Sequence, residues 1–156
     1  MSKVIHVTLS ARSISPTFTH SEPADVTARN EAVVRANLEK INSGDTRGAA
    51  ADWAEDAENF GRPIDRVDVE SVLEDIFATF PDYHMDIVEM VAAGDAVVVR
   101  CNVTGTHREV GVRNEIVHIN WYTLRDGKIV QRWATRDDFG IMRQLALNPG
   151  TRVNPH

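Results

Sequence analysis

The chain changes its hydrophobic period once, from helical to extended, and that change sets the fold class. From Thr27 onward, Ala32, Val33, Ala36, Leu38 and Ile41 recur at helical spacing, and the turn Asn42-Ser43-Gly44-Asp45 stops the pattern. A second short helix is expected over Thr46 to Trp53, then an extended piece over 54–60, halted by Gly61 and Pro63. Val69, Val72, Leu73, Ile76, Phe77 and Phe80 predict a third helix, with Asp68 as its N-cap and Pro81 marking its end. Beyond that point the period becomes two. Strands are predicted at Tyr83–Val91, Ala96–Thr106, Glu115–Arg125 and Lys128–Asp137, followed by a closing helix over 139–146. Helices first and an antiparallel meander after them define an α+β protein. A twisted sheet of this kind curls, and the helices can fill its concave side.

Residues 1–24 are rich in Ser, Thr and Pro and read as a flexible arm or strap, with a short strand at Val4–Leu9. Residues 25–147 read as one domain and 148–156 as a polar tail. The sequence is 156 residues long, enough for a real core in a single domain. A net charge of −6 without a Lys/Arg cluster argues against a nucleic-acid partner. No apolar window is long enough to span a bilayer, and the N-terminus has no secretory pattern, so the expected setting is the cytoplasm. The lone cysteine, Cys101, excludes an internal disulfide and reads as a buried small hydrophobe.

The chemistry concentrates in the last third. Asp126-Gly127 suits a type I′ turn, whose central residues need φ > 0. The strands beside it carry His118, Asn120, Tyr122, Arg132 and Arg136 at alternate positions, and a strand puts such positions on one face. Arg132 shares the His118 face if the hairpin keeps the simple two-residue register. If that face looks into a cavity it is an active site, and if it looks at water it is ordinary surface. An ordinary imidazole titrates near ~6.5 and can move a proton at neutral pH. Amide and phenol donors suit an enolate or alkoxide, and a guanidinium can neutralise an oxyanion. Arginines in this setting also commonly pair with nearby acids at the surface. His84 and Asp86 alternate on a strand and read best as a solvated pair. No tight ligand spacing such as His-x-x-x-His occurs, so no metal is expected. Asp52, Glu55, Asp56 and Glu58 form a charge run expected to face solvent. Trp121 and Trp133 alternate opposite to His118 and Ala134, which puts them on the outer face and predicts burial against a second copy, a homodimer.

Several local patterns agree in order and spacing with one family: Asn42-Ser43-Gly44-Asp45, Phe80-Pro81-Asp82-Tyr83, the run Ala93–Arg100, Thr104-Gly105-Thr106-His107, the run Arg125–Val130 and Arg143-Gln144-Leu145. Over about residues 26–147 the chain resembles the SnoaL-like polyketide cyclases of the nuclear transport factor 2-like superfamily. The resemblance implies a cone-shaped half-barrel, its curved antiparallel sheet wrapped around the N-terminal helices. It also implies a cofactor-independent enzyme that holds an apolar, carbonyl-bearing substrate, or an epoxide, in the cone. Asn59, His118 and Asn120 fall on pocket positions of the family, and His107 falls near the pocket mouth. Ala134 falls where the cyclases carry their catalytic Asp, which is this chain's main departure from the pattern, and Asp137 fits a structural Asp of the family. Two readings stand side by side: a cyclase or isomerase using His118 and Asn120, with Asn59, Tyr122, Arg132, Ala134 and His107 around the substrate, or a non-catalytic protein that binds a small hydrophobic ligand.

Overall fold

A computed structural model describes residues 24–147. The arm over 1–23, with the strand expected at Val4–Leu9, and the tail over 148–156 lie outside the described residues. The elements run α1 (Ala24–Asn42), α2 (Thr46–Ala51), β1 (Trp53–Asn59), β2 (Arg62–Ile64), α3 (Arg66–Thr79), β3 (His84–Ala93), β4 (Ala96–Thr106), β5 (Arg113–Arg125), β6 (Lys128–Arg136) and α4 (Asp138–Leu147). The six strands form one curved, unclosed sheet in the order β2-β1-β6-β5-β4-β3. All neighbours are antiparallel except β1 and β6, which pair in parallel. None of the described helices is long and apolar enough to cross a membrane.

The inner face of the sheet is apolar at alternate positions. Val97, Val99, Cys101 and Val103 of β4 are all buried and pack with Tyr122, Leu124 and Ile129 against α1 and α3. Burying each such side chain stabilises the fold by ~2 kcal/mol. The buried stripe of α1 differs from the sequence reading. It is Asn30, Val34, Asn37, Leu38 and Ile41, while Ala32 and Ala36 are exposed. Two asparagines can sit in this stripe because each has a partner. Asn30 Nδ2 donates to the Gly94 carbonyl at 2.9 Å, and Asn37 Nδ2 donates to the Ala49 carbonyl at 2.8 Å. At the end of α1, Asn42 exchanges two hydrogen bonds with the backbone of Met85, at 3.0 and 2.8 Å. These amides fix α1 across β3 and tie it to α2.

Three boundaries depart from expectation. Trp53 begins β1 instead of ending α2. The cap of α3 is Asp65, whose carboxylate accepts from the Asp68 N–H at 2.8 Å, so Asp68 lies in the first turn, where its charge favours the helix dipole. A short strand, β2, follows the Phe60-Gly61 turn. It tolerates Pro63 because it is the sheet edge, where a missing N–H costs no ladder bond. At the other end, Gln144 of α4 donates to the Glu115 carbonyl and accepts the Glu115 N–H, each at 2.9 Å, which seats α4 beside the part of β5 that extends past β6.

The β5–β6 register carries the functional consequence. The turn is the expected two-residue one, with Asp126 at φ 52 and Gly127 at φ 73. An unbroken ladder from the Arg125–Lys128 pair would set Arg132 against Trp121, on the outer face. Instead the register shifts: Leu124 pairs with Ile129 and Thr123 with Gln131, leaving Val130 as an extra residue. The bulge reverses the alternation, so Arg132 pairs with Tyr122, Ala134 with Asn120 and Arg136 with His118. The simple register is therefore not what brings Arg132 to the His118 face; the bulge is.

Candidate active site

Between the inner face of the sheet and α3 lies a cavity of about 240 Å³. Its walls are chiefly aliphatic and aromatic. Leu73 and Ile76 of α3 stand on one side, with Met85 and Val103 of the sheet on the other. Phe60, Val72 and Arg136 line it while remaining exposed, which places them at the mouth, and Ile141 of α4 completes the lining there.

One polar patch interrupts the apolar wall. Arg132 donates from Nε and Nη2 to Asn120 Oδ1, at 3.0 and 2.7 Å, and from Nη1 to Asn59 Oδ1 at 3.2 Å. Its guanidinium also lies over the Phe60 ring, 5.6 Å from the centroid. A guanidinium can only donate, so it fixes the orientation of Asn120: the amide oxygen faces Arg132 and the NH2 faces away. Asn120 is 0% exposed, and its Nδ2 has no hydrogen-bond partner. His118 is 6% exposed, and neither ring nitrogen has a partner. Buried polar groups are nearly always satisfied, so three unpartnered nitrogens on one cavity wall mark the place where a polar ligand would make up the difference.

Burial, with Arg132 and Arg136 nearby, pushes the His118 pKa down from 6.5 to about 4, against a small opposing effect of Asp138. The imidazole is therefore neutral at physiological pH, with one nitrogen able to donate and the other to accept. Burial holds Tyr122 in its phenol form and pushes Tyr83 up to about 12. Both are lining residues and potential donors.

The structure thus gathers Asn59, His118, Asn120, Tyr122 and Arg132 on one wall. Ala134 lies opposite Asn120 on the same face, between Arg132 and Arg136, but does not line the cavity as those two do. His107 does not reach the wall. Its ring meets Phe80 edge-on at 5.4 Å, Phe80 is the lining residue, and His107 Nδ1 accepts the Glu109 N–H at 3.3 Å. Among the described residues no carboxylate lines the cavity. Members of the acidic run are paired elsewhere: Asp52 with Lys40, Glu55 with Arg66 and Asp56 with Arg125. His84 contacts Asp86 at 3.2 Å in an exposed pair. Asp137 caps α4, accepting the Gly140 N–H at 2.7 Å, and a Cβ at Gly140 would collide with that carboxylate.

Two features of the site escape sequence reasoning. Phe60 at the mouth has φ 54, a left-handed conformation that is unusual for an aromatic residue. It forms a two-residue hairpin turn with Gly61 and meets Trp133 at 6.1 Å. Asn114 is buried on the inner face of β5 with Oδ1 unpartnered, and no local pattern flagged it.

The chain belongs to the SnoaL-like polyketide cyclase family, whose model matches residues 31–145. No curated protein matches it in sequence. Among solved structures it is similar to wild-type IdmH of Streptomyces antibioticus, described as a proposed polyketide cyclase. The identity is 28% and the TM-score 0.69, covering 76% of this chain and 99% of that one. Two further structures share the fold. AclR of Streptomyces galilaeus, described as a proposed hydroxylase, has a TM-score of 0.68 at 23% identity, covering 79% of this chain and 99% of that one. A SnoaL-like protein of Jannaschia sp. CCS1 has a TM-score of 0.72 at 15% identity, covering 80% and 96%. The α+β architecture with its unclosed sheet is the nuclear transport factor 2-like fold of these neighbours.

Proposed function

We propose that this cyclase-family protein is a cofactor-independent cyclase or isomerase of a polyketide-type pathway, acting by proton transfer on an apolar substrate that bears a carbonyl or an epoxide. The observation that carries the reading is the pair of unpartnered His118 nitrogens beside the unpartnered Asn120 Nδ2, all buried on the cavity wall. His118 moves the proton. The Asn120 NH2, oriented by Arg132, receives the developing oxyanion, and the Arg132 charge supports it through the shared amide. Asn59 holds the far side of the guanidinium, and Tyr122 adds a buried phenol. The apolar remainder of the wall selects a hydrophobic body. Ring closure of an aromatic β-keto ester is the test. Wild-type protein should accelerate it and His118→Ala should abolish the acceleration; full turnover by His118→Ala would end the assignment.

A second reading, a protein that binds a small hydrophobic ligand without turning it over, is favoured by a specific observation: no lining residue among those described is a carboxylate, and Ala134 pairs with Asn120. Ala134→Asp separates the two. A gain of ring closure would mean that only the base is missing, whereas unchanged tight binding without turnover would favour the binding protein.

We also propose that the outer face of the sheet joins two copies. Val91, Val117, Ile119, Trp121 and Trp133 are all more than a third exposed there. A contiguous apolar patch of this kind suits a partner better than water. A cytoplasmic setting fits a chain whose one cysteine is a buried thiol, held protonated by burial.

A further inference from the structure

Arg132 is a partly buried cation whose neighbours are all neutral. Its three hydrogen bonds to amide oxygens are joined by an interaction with the Tyr122 hydroxyl and by the face of Phe60. No ion pair reaches it among the described residues, and no carboxylate lines the cavity. The second lining guanidinium differs: Arg136 is neutralised by Asp138 at 2.6 Å. The wall around His118 therefore carries one positive charge with no counter-ion among the described residues and a buried Asn120 NH2 without an acceptor. A desolvated charge without a counter-ion is costly, and the structure keeps it. Nothing beside it could serve as a strong base. A simple ketone would have to lose a weakly acidic carbon-bound proton to His118, which burial leaves a weak base. A substrate that is already ionised in water requires no such step.

We infer that the cavity takes its substrate as a preformed delocalised oxyanion, the enolate of an acidic 1,3-dicarbonyl or vinylogous acid, set against Arg132 and the Asn120 NH2, with its hydrophobic body between α3 and β4. The inference rests on the cyclase reading and narrows its substrate class. It follows from the unpaired guanidinium and the orphan donor, both on one apolar wall. It assigns Arg132 a dual part: it orients Asn120 through Oδ1 and supplies the counter-charge. His118, unpartnered alongside, faces the same anion and can return a proton to it.

Two coumarins of nearly equal shape test this by calorimetry. 4-Hydroxycoumarin is a vinylogous acid that is ionised at neutral pH, whereas 4-methylcoumarin keeps the lactone carbonyl and cannot ionise. At pH about 8 the acid should bind at least ~10-fold more tightly, and Arg132→Gln should remove most of that preference. A pH titration of the wild-type protein guards against a misfolded variant. Affinity for the acid should fall as pH drops through the probe's own pKa, while the neutral probe stays level. The facing titratable groups are His118, Tyr83, Tyr122, Arg132, Arg136 and Asp138. Protonation of His118 would strengthen anion binding, the opposite sense, so a fall identifies the probe's ionisation. Equal or tighter binding of 4-methylcoumarin, or a preference that survives in folded Arg132→Gln, overturns the inference. If that neutral probe also loses affinity in Asn120→Ala, the carbonyl-binding cyclase reading stands and only the anion fails. Binding of neither probe at millimolar concentration overturns the inference and counts against the cyclase reading as well.

Discussion

Replacing His118 with Gln should flatten the acid limb of the stability profile. In the folded chain the His118 pKa is depressed from 6.5 to about 4, chiefly by burial and then by Arg132 and Arg136. Between those values the unfolded chain binds a proton on His118 and the folded chain does not. Stability linked to this group is therefore complete above pH 6.5 and is lost as pH falls toward 4. By linkage the loss is ~2 kcal/mol at pH about 5 and approaches ~3 kcal/mol near pH 4, less whatever water in the open cavity screens. With a urea m-value of about 2 kcal/mol/M, the first figure moves the unfolding midpoint by ~1 M between pH about 7.5 and 5. The assay is urea unfolding of wild type and His118→Gln across that range. The remaining histidines and carboxylates are common to both proteins and cancel in the difference. Asp56 and Asp82, held below the ordinary 3.8 by Arg125 and by Thr106 respectively, lose their contributions only at more acid pH. Parallel profiles for the two proteins, or an imidazole resonance of His118 titrating near its ordinary value, would refute a buried neutral histidine on the cavity wall.

Asn120→Ala should leave binding of the hydrophobic body largely intact while lowering kcat on a ring-closing substrate by ~100-fold, the usual cost of one oxyanion donor, read from steady-state kinetics. Asn37→Ala removes the donor to the Ala49 carbonyl and to Asp52, and should cost ~2 kcal/mol in urea unfolding with no change in cavity polarity near His118. Trp121→Lys on the outer face should convert a dimer to a monomer in sedimentation equilibrium; a wild-type monomer at micromolar concentration would remove the homodimer. Deleting Val130 should close the bulge into an unbroken ladder that keeps Arg132 opposite Tyr122 and Trp133 opposite Trp121, so any 4-hydroxycoumarin binding should persist in calorimetry; loss of that binding in a folded deletion variant would mean that the bulge sets more than the register.

Much of the fold was legible because period and punctuation agree. The helical spacing before Pro81, the alternation after it and the Asp126-Gly127 turn place most elements within two or three residues. What failed did so for physical reasons. Asn30 and Asn37 belong to the buried stripe of α1 through hydrogen bonds to Gly94 and Ala49, partners that no local window contains. Trp53 suits helix or strand equally by type, and only pairing with Ile129 decides it. The site was legible where strand alternation was enough, at His118, Asn120 and Tyr122. Arg132 reaches the same face through a bulge at Val130, which has no glycine to announce it. His107 falls near the mouth by resemblance, but Phe80 stands between it and the cavity. The missing carboxylate was visible as Ala134. Its consequence, an uncompensated Arg132, required the three-dimensional partners.

The most direct test of the cavity as a proton-transfer site is solvent exchange. Ethyl 3-oxo-3-phenylpropanoate carries the acidic carbon–hydrogen bond, the dicarbonyl and the apolar ring that the site should recognise. Its α-hydrogen exchange with deuterium oxide can be followed by NMR with and without protein, after subtracting the buffer rate. Wild-type protein should accelerate exchange, and His118→Gln, shown by calorimetry still to bind the ester, should lose ~100-fold of that acceleration. Acceleration that survives unchanged in His118→Gln, or tight binding by wild type with no acceleration at all, would contradict a catalytic His118 and leave the cavity a binding site.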